Sequence, residues 1–328
     1  MNFSEERIIE MLKGYNLPTG VLGIGDDCAV IPNDANNSWL ISTDALVEDV
    51  HFSISTISSK DLGSKSISVN ISDIAAMGGV PKFVFISCAI PNHLDNIFIK
   101  GFISGIKEQT TKHNIHLLGG DTTASKSKFF ISVTIIGEAN NNKIKYRSTA
   151  KIGDYICITG MPGASAAGLD LTKNIQSLIC EDDKYLINKH IAPHIYLQES
   201  QYLANFSSIH AMIDCSDGLN KDISRICKQS NCSANINVDK IPIDDKLQRV
   251  CANKNWDLYK FLLTGGEDYY LIFTIDSRDF ADIHGQYFKK FNKKFHCIGS
   301  VAAKSDEEIL YFKHGVKYTN PYQDFKHF

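Results

Sequence analysis

Two aspartates stand side by side, Asp26 and Asp27, in Leu22-Gly23-Ile24-Gly25-Asp26-Asp27-Cys28-Ala29-Val30, after a glycine pair and before a short apolar run. Neighbouring carboxylates repel, so a fold that keeps both ionised against a strand must either solvate them or supply a cation. Gly and Asp are also ordinary loop residues. This stretch alone leaves turn and cation site evenly matched, and the rest of the chain has to decide.

Composition narrows the choice of partner. The 328 residues are 43% hydrophobic and 22% charged with a net charge of −3, which suits two domains better than one. There is no basic field, so nucleic acid is not expected as a partner. No apolar run approaches a membrane span. The start, Met1-Asn2-Phe3-Ser4-Glu5-Glu6-Arg7, lacks the basic and apolar regions of a signal peptide, so no membrane association is expected. The nine cysteines form no CxxC pair and lie mostly in strand-like runs such as Phe85-Ile86-Ser87-Cys88-Ala89. That is the pattern of buried reduced thiols, and the expected compartment is the cytoplasm. Eleven histidines without ligand spacing make zinc an improbable metal.

Strands and helices alternate along the chain, so the fold class is α/β. Ser4 is positioned to cap a first helix; strands are expected over 29–31, 39–44, 82–90, 115–118 and 129–137. A helix over 60–77 closes on Gly78-Gly79, and another runs over 94–113 with Phe98, Phe102 and Ile106 on one face. The polar bridge from Arg147 to Gly153 suggests a boundary, giving domains 1–148 and 149–328. The second half restarts with a strand over 154–159, then a small-residue turn at 160–168 that reads better as helix packing than as a phosphate loop. Helical patterns follow at 182–205, then a strand over 211–214, a helix to about residue 230 and a strand over 269–275. Leu117-Leu118-Gly119-Gly120-Asp121 and Leu262-Leu263-Thr264-Gly265-Gly266-Glu267 look alike, as two related halves or chance would make them.

The acids in glycine or hydroxyl settings are Asp26, Asp27, Asp44, Asp73, Asp121, Asp214, Asp217, Glu267 and Asp268. Singly, each reads as a cap or turn residue; together they are an uncomfortable surface. Hard oxygen donors favour Mg²⁺, Mn²⁺ or Ca²⁺, the EF-hand pattern is absent, and Mg²⁺ most often works with phosphates. Arg147 and Lys151 are the nearest basic candidates for phosphate contact, with a solvated surface charge as the plain alternative. Walker, dinucleotide, protein-kinase and serine-hydrolase signatures are all missing.

Several stretches, in order and spacing, carry a family likeness: Gly23–Ala29, Ser42-Thr43-Asp44, His51-Phe52, Val69–Gly78, Gly119–Thr123, Arg147-Ser148, Ile213–Leu219 and Gly265–Tyr269. Together they resemble the bacterial thiamine-monophosphate kinase family. The resemblance implies the two-domain fold of aminoimidazole ribonucleotide synthetase, with N-terminal domains paired in a homodimer. It also implies direct transfer of the γ-phosphoryl group of ATP to thiamine monophosphate, with several Mg²⁺ ions and no phosphoenzyme. By the same resemblance Asp27, Ser42, Thr43, Asp44, Asp73, Asp121, Asp214 and Asp217 are metal positions, of which Asp73 and Asp214 are the most critical. Gly120, Asp121, Arg147 and Ser216 would contact ATP, and His51, Glu267 and Phe325 the thiamine monophosphate. No general base is expected, because a phosphate nucleophile is already ionised near neutral pH.

Two other readings compete. One is another ATP-using member of the same superfamily, although the tail Lys326-His327-Phe328 has no cysteine and residues 1–27 have none, unlike the maturation and selenophosphate enzymes. The second is a non-catalytic dimer that binds Mg-nucleotide, against which the full set of acids argues.

Overall fold

The computed structural model describes residues 4–173 and 180–324; Phe325 lies outside them. Ser4 caps α1 (Glu5–Leu12) by accepting from Arg7 N at 3.3 Å. There follow β1 (Ala29–Pro32), β2 (Asn37–Val47), α2 (Ser59–Ala76), β3 (Val80–Pro91), α3 (Asn96–Lys112), β4 (His116–Ser125) and β5 (Phe130–Asn140). The five strands form one sheet in the order β1-β2-β5-β3-β4, in which only β3 and β4 run parallel.

Strand periodicity gives this sheet two unlike faces. Leu40, Ile131, Val133, Ile135 and Val84 point inward and build the core with Ile67, Ile71 and Ile74 of α2. Trp39, Phe83, Phe85 and Phe130 occupy the other face, where Phe85 is 38% and Phe130 37% exposed. Helix α2 is buried on nearly every side, because the first sheet and the second half of the chain both pack against it. Glycines let α3 lie close along it: a Cβ on Gly105 would stand 1.9 Å from Lys60 O, and one on Gly63 2.0 Å from Phe102 O.

A 3-10 turn, Arg147–Thr149, joins the halves, and the expected division at 148/149 falls inside it. Beyond it run β6 (Tyr155–Ile158), α4 (Ala164–Lys173), α5 (Glu181–Ile191), α6 (Leu197–Leu203), β7 (Ile209–Asp214) and α7 (Leu219–Gln229). The chain continues through β8 (Cys232–Asn237), α8 (Asp245–Lys254), α9 (Leu258–Thr264), β9 (Leu271–Ile275), α10 (Phe280–Phe291), β10 (His296–Ala303), β11 (Ile309–Lys313) and β12 (Val316–Tyr318). Its seven-stranded sheet has the order β12-β11-β8-β10-β6-β9-β7. The halves are bound together by polar contacts as well as packing. Lys145 Nζ donates to Phe206 O (2.9 Å) and Ile209 O (2.8 Å), and Gln201 Nε2 to Gly79 O (3.0 Å).

Two expectations change. The Gly119–Thr123 run lies beyond the strand expected over 115–118, yet it is the middle of β4, paired with Phe85–Ala89 of β3. Its glycine serves close approach, since a Cβ on Gly120 would meet Ile86 O at 1.7 Å. The two Leu-Leu and Gly-Gly-acid runs also differ in structure. The first is strand throughout, whereas Leu262 and Leu263 end helix α9 and Gly265–Glu267 form a loop. The likeness is one of sequence only.

Candidate active site

Three carboxylates from three elements converge. Asp27 comes from the glycine loop before β1, Asp73 from α2 and Asp214 from the end of β7, and one ligand oxygen of each lies within 4.8 Å of the others. Consecutive residues of α2 serve the two halves. Ser42 Oγ donates to Asp73 Oδ2 at 2.6 Å, while Ser72 Oγ donates to Asp214 Oδ2 at 2.5 Å. Burial pushes Asp73 well above the carboxylate range, with Asp44, Asp214 and Asp27 adding repulsion. Asp214, 1% exposed, is raised in the same way by burial and then by Asp27. An all-oxygen set that resists ionisation on its own fits a hard divalent cation such as Mg²⁺.

The opening pair separates in role. Asp26 turns to the backbone, accepting from Asp27 N and from Arg147 N, each at 3.1 Å, and burial and Asp27 lift it to about 7. Asp27 faces the cluster and is gripped by the Arg147 guanidinium, through Nε at 3.2 Å and through Nη2. Arg147 therefore sits on the acids of the cluster.

The other expected metal positions divide by strand alternation. Asp44 shares with Ser42 the inward face of β2, and burial, Asp217 and Asp27 lift it to about 6. Asp217 lies in the loop before α7, where Arg225 and Lys221 (3.2 Å) hold it below the usual range against the opposing effect of burial. That loop is shaped by Asp222, whose carboxylate accepts from the N–H groups of Asp217 and Gly218 at 3.1 Å. Thr43 points the opposite way and donates to Val133 O at 3.2 Å. Asp121, exposed on β4, is in register with Ser87, Ser132 and Ala45. Three strand spacings, about 15 Å, therefore separate Asp121 from β2, and Gly120 stands equally far from Asp44. Within one chain these residues are not part of the acid cluster.

A cleft of about 590 Å³ lies over the cluster, lined by Asp44, Asp73, Ser216, Asp217, His51 and Glu267 among others. His51 Nδ1 accepts from Val47 N at 3.1 Å, which assigns the ring proton to Nε2. Glu267 has φ +62 and donates its N–H to Ser216 O at 2.8 Å. Its Oε2 accepts from Lys65 Nζ at 2.7 Å and lies 3.3 Å from His190 Nδ1. Asp268 points away from the cluster and caps α4, accepting from Gly163 N (2.5 Å) and Ser165 N (2.8 Å). Next to the undescribed Phe325, Gln323 lines the cleft and Asp324 accepts from Asn220 Nδ2 at 2.7 Å.

Sequence reasoning missed Lys65, Ser72, His190 and Arg225. For Lys65 a signal existed: Lys65, Val69 and Asp73 recur at i, i+4 and i+8, the stripe that carries the α2 member of the acid cluster. His190 and Arg225 join the site only through tertiary packing.

Two α/β halves meeting at carboxylates drawn from both define the class. Residues 25–139 match the AIR synthase related protein N-terminal domain, and residues 151–311 the AIR synthase related protein C-terminal domain. Within that class the chain is 40% identical over 282 residues to the thiamine-monophosphate kinase of Buchnera aphidicola subsp. Acyrthosiphon pisum, covering 86% of this chain and 84% of the relative. It is 37% identical over 287 residues to that of Haemophilus influenzae, with coverage of 86% and 84%. The solved structure of AaThiL complexed with AMPPCP and TMP superposes with a TM-score of 0.86 at 29% identity, over 100% of this chain and 99% of that one. The chain belongs to the thiamine-monophosphate kinase family.

Proposed function

We propose that this protein transfers the γ-phosphoryl group of ATP to the phosphate of thiamine monophosphate, giving ADP and thiamine diphosphate, the last step of thiamine diphosphate biosynthesis. The observation that carries the reading is one cleft joining the acid cluster to Glu267 and His51. Family membership supports it, as does the relative that binds AMPPCP and TMP. Asp27, Asp73 and Asp214 would hold Mg²⁺, with Asp44 and Asp217 facing the same cleft; bound ions supply the positive charge that lets two phosphates approach. The chain's own work is then to position and to shield. Ser42 and Ser72 orient the aspartates, His51 offers Nε2–H to an anion, and Glu267 offers a carboxylate to the cationic ring. Arg147 is proposed for the nucleotide phosphates together with Ser216. A general base is not needed, since the attacking phosphate oxygen is already ionised.

The protein is proposed to act as a homodimer through the uncovered face of the first sheet. Trp39, Phe83 and Phe85 lie there with no layer above them among the described residues, next to edge strand β4 with Leu117 55% and Leu118 54% exposed. A contiguous apolar sheet face of this kind is what an interface covers. Gly120 and Asp121 lie on β4 beside it, so their proposed roles toward ATP and metal belong to the assembled dimer. A cytoplasmic setting is supported by nine free cysteines; no helix among the described residues is long and apolar enough to cross a membrane.

Purified protein given ATP, Mg²⁺ and thiamine monophosphate is expected to form thiamine diphosphate and ADP in equal amounts. ADP formed only with a formylglycinamidine-type substrate, or not at all, overturns the assignment.

A further inference from the structure

We infer that Lys65 is a positioning residue for substrate recognition, fixing the Glu267 carboxylate that receives the cationic ring of the phosphate acceptor. The inference rests on the kinase reading above.

Lys65 is 2% exposed, on the same helix as the acid Asp73 and two turns before it. A buried ammonium is tolerated only with a partner, and that partner is Glu267 Oε2 at 2.7 Å. His190 Nδ1 stands 3.3 Å from the same oxygen and hydrogen-bonds Ser165 Oγ at 3.2 Å. Burial, and then the Lys65 charge, push His190 down to about 4, so near neutral pH the imidazole is uncharged and Lys65 supplies the cation. Both contacts fall on Oε2, which leaves Oε1 as the oxygen to meet a ligand in the cleft. The glutamate backbone is fixed as well, with φ +62 and its N–H on Ser216 O, a left-handed conformation that a non-glycine residue keeps only when its surroundings impose it.

The lysine comes from one half of the chain and the glutamate from the other, so the pair sets how the halves meet over the cleft. Lys65 and Asp73 share one stripe of α2, about 12 Å apart along the axis. A single rigid helix thus spaces the carboxylate for the cationic ring from the acids where the phosphates meet. The acceptor carries both a cationic ring and a phosphate, joined by a two-carbon arm, and this arrangement lets the cleft meet both at once.

Steady-state kinetics of the full chain with ATP, Mg²⁺ and thiamine monophosphate test this. Lys65→Met is expected to raise the KM for thiamine monophosphate about 10- to 100-fold, with kcat and the KM for ATP within about twofold of the parent. Lys65→Arg, which keeps the charge, should raise it less. The double variant K65M/E267Q should match E267Q alone, because the lysine acts through the glutamate. An unchanged KM for thiamine monophosphate in K65M, or parallel losses in kcat and in the KM for ATP, overturns the inference. If K65M does not fold, the double variant, which buries no unpaired charge, decides: any loss beyond that of E267Q counts against it. A parent protein that forms no thiamine diphosphate refutes the kinase reading and this inference with it. An active parent with a normal K65M refutes the role of Lys65 alone.

Discussion

Asp73 has the most demanding environment of any acid in the cleft, buried among Asp27, Asp44 and Asp214 with Ser42 as its donor. Asp73→Asn is expected to lower turnover about a thousandfold or more while leaving the circular dichroism spectrum unchanged. The stability effect has the opposite sign. Asp26, Asp222 and Asp268 are lifted to about 7 and Asp44 to about 6 from 3.8, and Asp73 is lifted too. Between the unfolded and folded pKa values the folded protein holds protons that the unfolded chain has released, so stability falls as pH rises through that window. His190 runs the other way, losing stability as pH falls from 6.5 toward 4, and His113 and His296, also lowered by burial, run with it; the five raised acids outnumber these three. The metal-free Tm should therefore fall between about pH 5 and 7, with a shallower slope for Asp73→Asn. A steeper slope, or near-normal kcat, removes Asp73 from the cluster.

At the scale of elements, α2 is the piece on which the site depends. It supplies Lys65, Ser72 and Asp73, and it packs on the first sheet, on α3 and on the second half of the chain. Its position relies on the glycine crossing with α3, where no side chain fits. Gly105→Ala places a methyl 1.9 Å from Lys60 O and should force the helices apart, costing about 1–3 kcal/mol. A chemical-denaturation midpoint checks it. An unchanged midpoint means that the crossing adjusts freely and that α2 is less tightly held than its burial indicates. The strands show how far pattern alone carries. In β2, alternation correctly places Ser42 and Asp44 together on one face, and it sends Thr43 to the other.

At the scale of the whole molecule, one face of the first sheet is left uncovered among the described residues. Phe85 stands on it beside Trp39, Phe83 and Phe130. Phe85→Asp should shift the protein from dimer toward monomer in light scattering while each chain stays folded, because a desolvated carboxylate opposes an apolar interface. A native monomer, or a dimer untouched by the substitution, removes this face as the interface. Activity should fall with dissociation if Gly120 and Asp121 serve the site only in the assembled dimer.

Chemistry and local form are legible in the residues alone: the α/β alternation, the helix that carries Asp73, the hard-oxygen character of the acids and the family likeness. Local pattern suffices there, because periodicity, caps and donor type are properties of short stretches. Which acids meet depends on the packing of distant elements. Asp27, Asp73 and Asp214 are far apart in the chain, and three separate elements bring them within 4.8 Å. The same packing separates Asp26, which holds the Arg147 backbone, from Asp27, which faces the cluster. Asp121 was moved about 15 Å from Asp44 by nothing more than strand order. The Lys65–Glu267 pair belongs to the same category: the desolvation of a buried charge is a property of the folded surroundings, and no local pattern records it.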